Sequence, residues 1–146
     1  MPIASDCAPL NGLIAAMLDT APGIRFMRDA TRGGAATVLN EIAEAAGVEI
    51  VIDEPALPLR DEVRGVCEIL GLDPLYLANE GKLVAVVAAD VAEAVLAAMR
   101  AHPLGVDGCA IGKVSDRPEP RVLMQTVLGG ARVVDMLVGD QLPRIC

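Results

Sequence analysis

The stretch IRFMRDATRGGAATVLNEIAEAAGVEIVI, residues Ile24 to Ile52, holds three elements in one run. Ile24 to Arg28 reads as a short strand. From about Gly34 to Ala46 the apolar residues return at helical spacing, with Ala35, Val38, Leu39, Ile42 and Ala46 on one face. Gly47 supplies a natural helix stop. Val48, Ile50 and Ile52 then alternate with Glu49 and Asp53, the period of a half-buried strand.

Toward the N-terminus, Leu10, Leu13, Ile14 and Met17 follow helical spacing after a Ser5/Asp6 capping candidate, and Pro22-Gly23 ends that helix. Toward the C-terminus, a third helix is expected to turn Leu59, Val63, Val66, Cys67 and Leu70 inward and to stop at Gly71. Asp73-Pro74 can start a short helix through Tyr76. Lys82 to Ala89 is nearly all apolar, which predicts a central strand covered on both faces. Asp90 is expected to cap the next helix, with Glu93 completing the pair. Cys109 to Val114 and Arg121 to Val127 read as strands, and Gly129-Gly130 turns the chain into Arg132 to Met136, a hairpin. Helices and strands mix without strict alternation. The fold class is therefore α+β: a mixed, mostly antiparallel sheet with helices packed on it. Residues 1–136 form the domain, and 137–146 form a mobile tail.

The chain has 146 residues, enough for one cored domain, and 53% are apolar. Phe26 and Tyr76 are its only aromatic residues, so a base-stacking platform is lacking. A net charge of −8 opposes both nucleic acid and anionic membranes. No apolar run reaches the length of a membrane span, and MPIASDCAPL has no secretion-signal pattern, so the expected compartment is the cytoplasm. Cys7, Cys67, Cys109 and Cys146 are widely separated and His102 is the only histidine, which supports neither a metal site nor a disulfide framework.

Three places could carry chemistry. In the strand-to-helix link Met27 to Gly34, Thr31 can cap the helix, while Arg32, Gly33 and Gly34 favour an anion such as phosphate. The same Gly pair is equally readable as turn geometry. Glu80 precedes the apolar strand, where desolvation would raise its pKa toward that of a general base; the alternative is a solvated strand-entry turn. Cys146 is the last residue, after Pro143-Arg144-Ile145. A terminal thiol on an irregular segment is either a frayed end or a sulfur that can be carried between sites. Cys67 and Cys109 read as core, Cys7 lacks an activating neighbour, His102 reads as a surface or capping residue, and Ser115 lacks a base.

Together, SDCAPLNGLI, MRDATRGGAATVLNEIA, LYLANEGKLV and DQLPRIC make the chain resemble the C-terminal domain of the HypE family of hydrogenase expression/formation proteins. That family sits in a wider ATP-using superfamily resembling aminoimidazole ribonucleotide synthetase. The resemblance implies a preceding domain, not contained in this sequence, that carries most ATP and magnesium ligands and forms the homodimer. Met1 is then an artificial start, and no cofactor is expected on this chain alone. It also implies the following chemistry. A HypF-type carbamoyltransferase loads the thiol of Cys146. ATP-driven dehydration makes a thiocyanate, with Glu80 as base and Pro143, Arg144 and Ile145 setting the tail's register. A HypC–HypD scaffold complex accepts the cyanide for nickel–iron hydrogenase. Ala30 departs from the proline expected there. A selenophosphate or thiamine-phosphate type synthase, or a non-catalytic interaction module, is the alternative; neither needs Cys146.

Overall fold

The structure, a computed structural model, describes residues 4–20 and 22–139. The calls on Pro143, Arg144, Ile145 and Cys146 lie outside the described residues. Among the described residues four helices, α1 (Asn11–Thr20), α2 (Gly34–Ala46), α3 (Asp61–Leu70) and α4 (Ala92–Ala101), alternate irregularly with six strands. The strands are β1 (Ile24–Ala30), β2 (Glu49–Asp53), β3 (Asn79–Val87), β4 (Gly112–Ser115), β5 (Arg121–Gln125) and β6 (Ala131–Val133). β1 and β3 pair as an antiparallel ribbon, and a second sheet runs β4-β2-β5-β6. Among the described residues only β2 with β5 is parallel, so the fold is α+β, mixed and mostly antiparallel.

Two hydrophobic clusters flank the ribbon. Val38, Leu39 and Ile42 of α2 pack on Ile50, Ile52, Val122 and Met124 of the larger sheet, and Phe26, Val84 and Val86 join them. Leu13 and Met17 of α1 meet Val95 of α4, with Ile24, Met27, Leu83, Ala85 and Val87 packed against them. Alternate side chains of β3 thus enter opposite cores, which is why its sequence is apolar at nearly every position. The expectation of a strand covered on both faces holds. The expectation of a central strand does not, because β3 pairs with β1 alone among the described residues.

α2 begins and ends at the expected residues, with Gly47 in the left-handed conformation as its C-cap. Asp73 caps the short 3-10 turn Pro74–Tyr76, accepting from the Leu75 amide at 3.0 Å. Other caps differ. The Ser5 hydroxyl accepts from the Cys7 amide, well before α1 starts. Asp90 lies inside a 3-10 turn, Ala89–Val91, which leads straight into α4, and no side chain caps that helix. In α3 only Cys67 is buried, and Ile69 is 85% exposed. Val66 and Leu70, expected to face inward, are 39% and 62% exposed, so α3 buries little of its apolar stripe beyond Cys67.

Candidate functional site

The β1–β3 ladder is interrupted at one end. Asp29 lies opposite Leu83, but Ala30 lies opposite Asn79, so Glu80, Gly81 and Lys82 bulge from β3. Such a bulge re-aims side chains and ends regular pairing. The N-terminal segment crosses over it: a Cβ on Gly81 would collide with the Asp6 carbonyl. The Lys82 ammonium donates to Asn79 Oδ1 at 2.7 Å and to Asp6 Oδ2 at 3.2 Å, which ties segment and bulge together.

Glu80 stands on the rim of an open cleft of about 440 Å³, whose floor is Leu10, Ile14, Met27 and Leu83 and whose other acidic group is Asp29. The expected desolvation of Glu80 is not found: the bulge lifts it into solvent, and it is exposed. Among the described residues no hydrogen bond or ion pair holds its carboxylate.

The Thr31–Gly34 turn adjoins this rim. Thr31 does not cap α2; its hydroxyl donates to Asp29 Oδ1 at 2.9 Å, and Gly33 occupies the cap position. Gly33 and Gly34 both have positive φ, 62° and 63°. A Cβ on Gly34 would strike the carbonyls of Leu75 and Leu77, and one on Gly33 would strike Thr37. Turn geometry and close packing therefore account for the Gly pair. Arg32 is exposed, and Arg28 pairs with Glu41 of α2. Ala30, at the end of β1, is 2% exposed.

The chain leaves the fold at the same end. After β5 turns back into β6, residues 132, 134 and 135 bond side chains from elsewhere. Arg132 donates to Asp73 at 2.5 Å, Asn40 Nδ2 donates to the Val134 carbonyl at 2.9 Å, and the Tyr76 hydroxyl donates to the Asp135 carbonyl at 2.8 Å. Leu137 then comes within 3.3 Å of where a Gly33 Cβ would be. The sequence reading missed Asn40, Tyr76 and Arg132 as a group. The one signal available was Asn40, a polar residue inside the apolar pattern of α2; it is 8% exposed.

A second carboxylate was misread. Glu49 alternates as a solvent-facing residue should, yet it is 2% exposed. Arg121 donates to it through Nε at 2.7 Å and Nη2 at 2.6 Å, and Arg117 lies at 3.9 Å. The Arg121 hydrogen bond holds the Glu49 carboxyl below the usual carboxylate range. Cys67 is buried, and burial pushes its thiol up. Cys109 is also pushed up by burial, and its thiol donates to the Ala56 carbonyl rather than opening a strand. Cys7 is exposed. His102 ends α4 and accepts the Leu104 amide on Nδ1. Among the described residues no cluster of His, Cys, Asp and Glu is arranged to hold a metal ion, and no helix is long and apolar enough to cross a membrane.

Residues 2–125 match the family described as AIR synthase related protein, C-terminal domain. The chain belongs to that family. Within it, the chain resembles HypE over its whole length. It is 60% identical over 144 residues to a protein of Rhodobacter capsulatus named carbamoyl dehydratase HypE, covering 99% of this chain and 42% of that protein. Two solved structures share the fold. HypE in complex with ATP has a TM-score of 0.90 at 44% identity, covering 99% of this chain and 44% of that one. A HypE–HypF complex has a TM-score of 0.87 at 47% identity, covering 92% and 44%. The matching part is the C-terminal domain of HypE, so this chain spans about two-fifths of the length of the relatives it resembles.

Proposed function

We propose that this chain is the thiol-carrying domain of a carbamoyl dehydratase that makes cyanide ligands for nickel–iron hydrogenase. The observation that carries the reading is the convergence at one end of the ribbon. The Glu80 bulge and the root of the segment leading to Cys146 both adjoin the turn at Thr31–Gly34. The similarity to carbamoyl dehydratases supports the same reaction.

In this reading a HypF-type carbamoyltransferase passes a carbamoyl group from an activated donor to Cys146: the sulfur loses its proton and bonds the carbonyl carbon as the bond from that carbon to the donor's leaving group breaks. ATP, held with magnesium by a preceding domain in a homodimeric parent, turns the amide oxygen into a phosphate leaving group. Glu80 takes a proton from the amide nitrogen as the C–O bond breaks; loss of the second nitrogen proton leaves S–C≡N. Pro143, Arg144 and Ile145 set the register of the thiol in the cleft, and the seated tail covers the apolar floor from water. The cyano group then passes to iron on a HypC–HypD scaffold complex in the cytoplasm. Gly34 is buried against the Leu75–Leu77 backbone, so little of the α2 N-terminus faces a nucleotide, and Thr31, Arg32 and Gly33 serve at most the rim of a phosphate site. Calorimetry on this chain alone should therefore detect negligible ATP binding, and micromolar affinity would move the phosphate site onto it.

Intact mass after incubation with the carbamoyltransferase, carbamoyl phosphate and ATP tests the reading. One carbamoyl group should appear, mapped to Cys146. No modification, or modification of Cys7 instead, would sink it.

A further inference from the structure

We infer that Lys82 is a positioning residue for the cleft at Glu80: through Asp6 it holds residues 5–10 on the β3 bulge as one wall of that cleft. The inference rests on the proposed dehydration at Glu80. Residues 5–10 form neither helix nor strand. Among the described residues no backbone hydrogen bond joins residues 4–9 to another element. The Ser5 hydroxyl accepts from the Cys7 amide at 3.2 Å, which ties the segment only to itself. Over the bulge, the Asp6 carbonyl and the Ala8 amide lie against Gly81, where only a glycine leaves room. Beside them, the Lys82 ammonium donates to Asp6 Oδ2 at 3.2 Å. Asn79 fixes the other end of this bridge. Its Nδ2 donates to the Leu77 carbonyl at 2.6 Å, so its Oδ1 is turned to Lys82 and accepts at 2.7 Å.

The segment so held is part of the cleft. Ala8 and Leu10 line it together with Glu80 and Leu83. Leu10 is anchored by packing on the core between α1 and α4, so the stretch before it is the part that depends on the bridge. Beneath that stretch, Glu80 to Lys82 lie outside the β1–β3 pairing, and a bulge sets the aim of its side chains by its own local geometry. Lys82 thus grips the base of the bulge at Asn79 and its cover at Asp6, with Glu80 between them. Magnitude separates this role from a merely stabilising one. The Lys82 and Asp6 side chains are 52% and 33% exposed. A pair that open shifts the folding equilibrium by no more than about fivefold. A displacement of about 1 Å at a reacting group can slow its chemistry by about 10²-fold. The bridge decides where the cleft wall stands, not whether the chain folds.

The test compares Lys82→Met, Asp6→Ala, their double variant and Lys82→Arg. On this chain, ¹⁵N relaxation should give a backbone order parameter of about 0.85 at residues 5–8. It should fall below about 0.6 in Lys82→Met and Asp6→Ala and return in Lys82→Arg, which keeps the cation. Tm should move little in any of them. In the two-domain form that the relatives have, each of the first two variants should slow single-turnover dehydration by about 10-fold to 10²-fold, with carbamoyl loading unchanged. The double variant should be no slower than either, because the two residues act as one bridge. Low order at residues 5–8 in the unmutated chain, or unchanged order in Lys82→Met, overturns the inference. So does order that falls while every dehydration rate stays at the parent value. Asp6→Ala at the parent rate beside a slow Lys82→Met also overturns it, and makes Lys82 a direct contact of the substrate. Glu80→Gln dehydrating at the parent rate would instead defeat the reading beneath the inference, and it leaves the order measurement untouched.

Discussion

Glu49 and Glu80 are both strand glutamates, and the fold uses them in opposite ways. Glu49 lies in an unbroken part of its ladder, buried, with Arg121 bonded to it and Arg117 at 3.9 Å. Its charge is matched and closed off. Glu80 lies where the ladder breaks, exposed on the rim of an apolar-floored cleft. The buried carboxylate is the one held in its ionised form, by the hydrogen bond from Arg121. The exposed one can be desolvated only when something enters the cleft. The proposed general base needs that second arrangement, because a substrate must be able to reach its carboxylate.

The comparison breaks most sharply at the thiol that Glu80 is proposed to serve. Cys146→Ala should abolish labelling by the carbamoyl-transfer system, whereas Cys67→Ala, which alters a buried thiol, should not; peptide mapping by mass spectrometry reads both. Equal labelling of the two variants would leave Glu80 without a substrate.

A smaller effect should come from Gly81, the residue that shapes the bulge. In Gly81→Ala the new methyl meets the Asp6 carbonyl, so residues 4–10 must shift away from the bulge. Overpacking of this kind costs about 1–3 kcal/mol, visible as a fall in Tm. The same variant should slow dehydration, because Ala8 and Leu10 line the cleft. Loss of stability with unaltered dehydration would separate the bulge from the chemistry.

The smallest effect is expected at Glu49. Its lowered pKa means that the folded state holds the ionised form more tightly than the unfolded chain does. That stabilisation is present above its ordinary value of 4.5 and is lost as the pH falls toward the lower folded value. Glu49→Gln should therefore lower Tm at neutral pH and flatten the acid limb of a Tm-against-pH curve. Dehydration at neutral pH should stay near the parent rate. An unaltered acid limb would show that the Arg121 contact contributes nothing to folding.

How much of this was legible in the sequence follows from how local each feature is. The bounds of α2 and its glycine stop were readable because spacing and a left-handed cap act within one helix. The hairpin at Gly129-Gly130 was readable for the same reason. Glu49 was misread because burial of a charged residue depends on arginines 68 and 72 positions away, which no periodicity encodes. β3 looked central because a strand shared by two cores has the same apolar run as one inside a wide sheet. α3 was over-buried because an amphipathic stripe specifies a face but not its partner. At the candidate site, Glu80 was expected just before the apolar strand, whereas it lies inside β3 on a bulge set by the pairing of Asn79 with Ala30, which no local pattern encodes. The bonds that Asn40, Asp73 and Tyr76 make to residues 132–135 were invisible, since each spans 59 to 94 positions.

The most direct measurement is intact mass over a single turnover in the two-domain form, comparing Glu80→Gln with the parent. Both should gain one carbamoyl group at Cys146, because loading needs only an accessible thiol. The parent should then lose one water. Glu80→Gln should stall at the carboxamide, with dehydration slowed by roughly 10²–10⁴-fold, the usual contribution of a general base. Thiocyanate forming at the parent rate in Glu80→Gln would contradict the account and reduce Glu80 to a strand-entry residue.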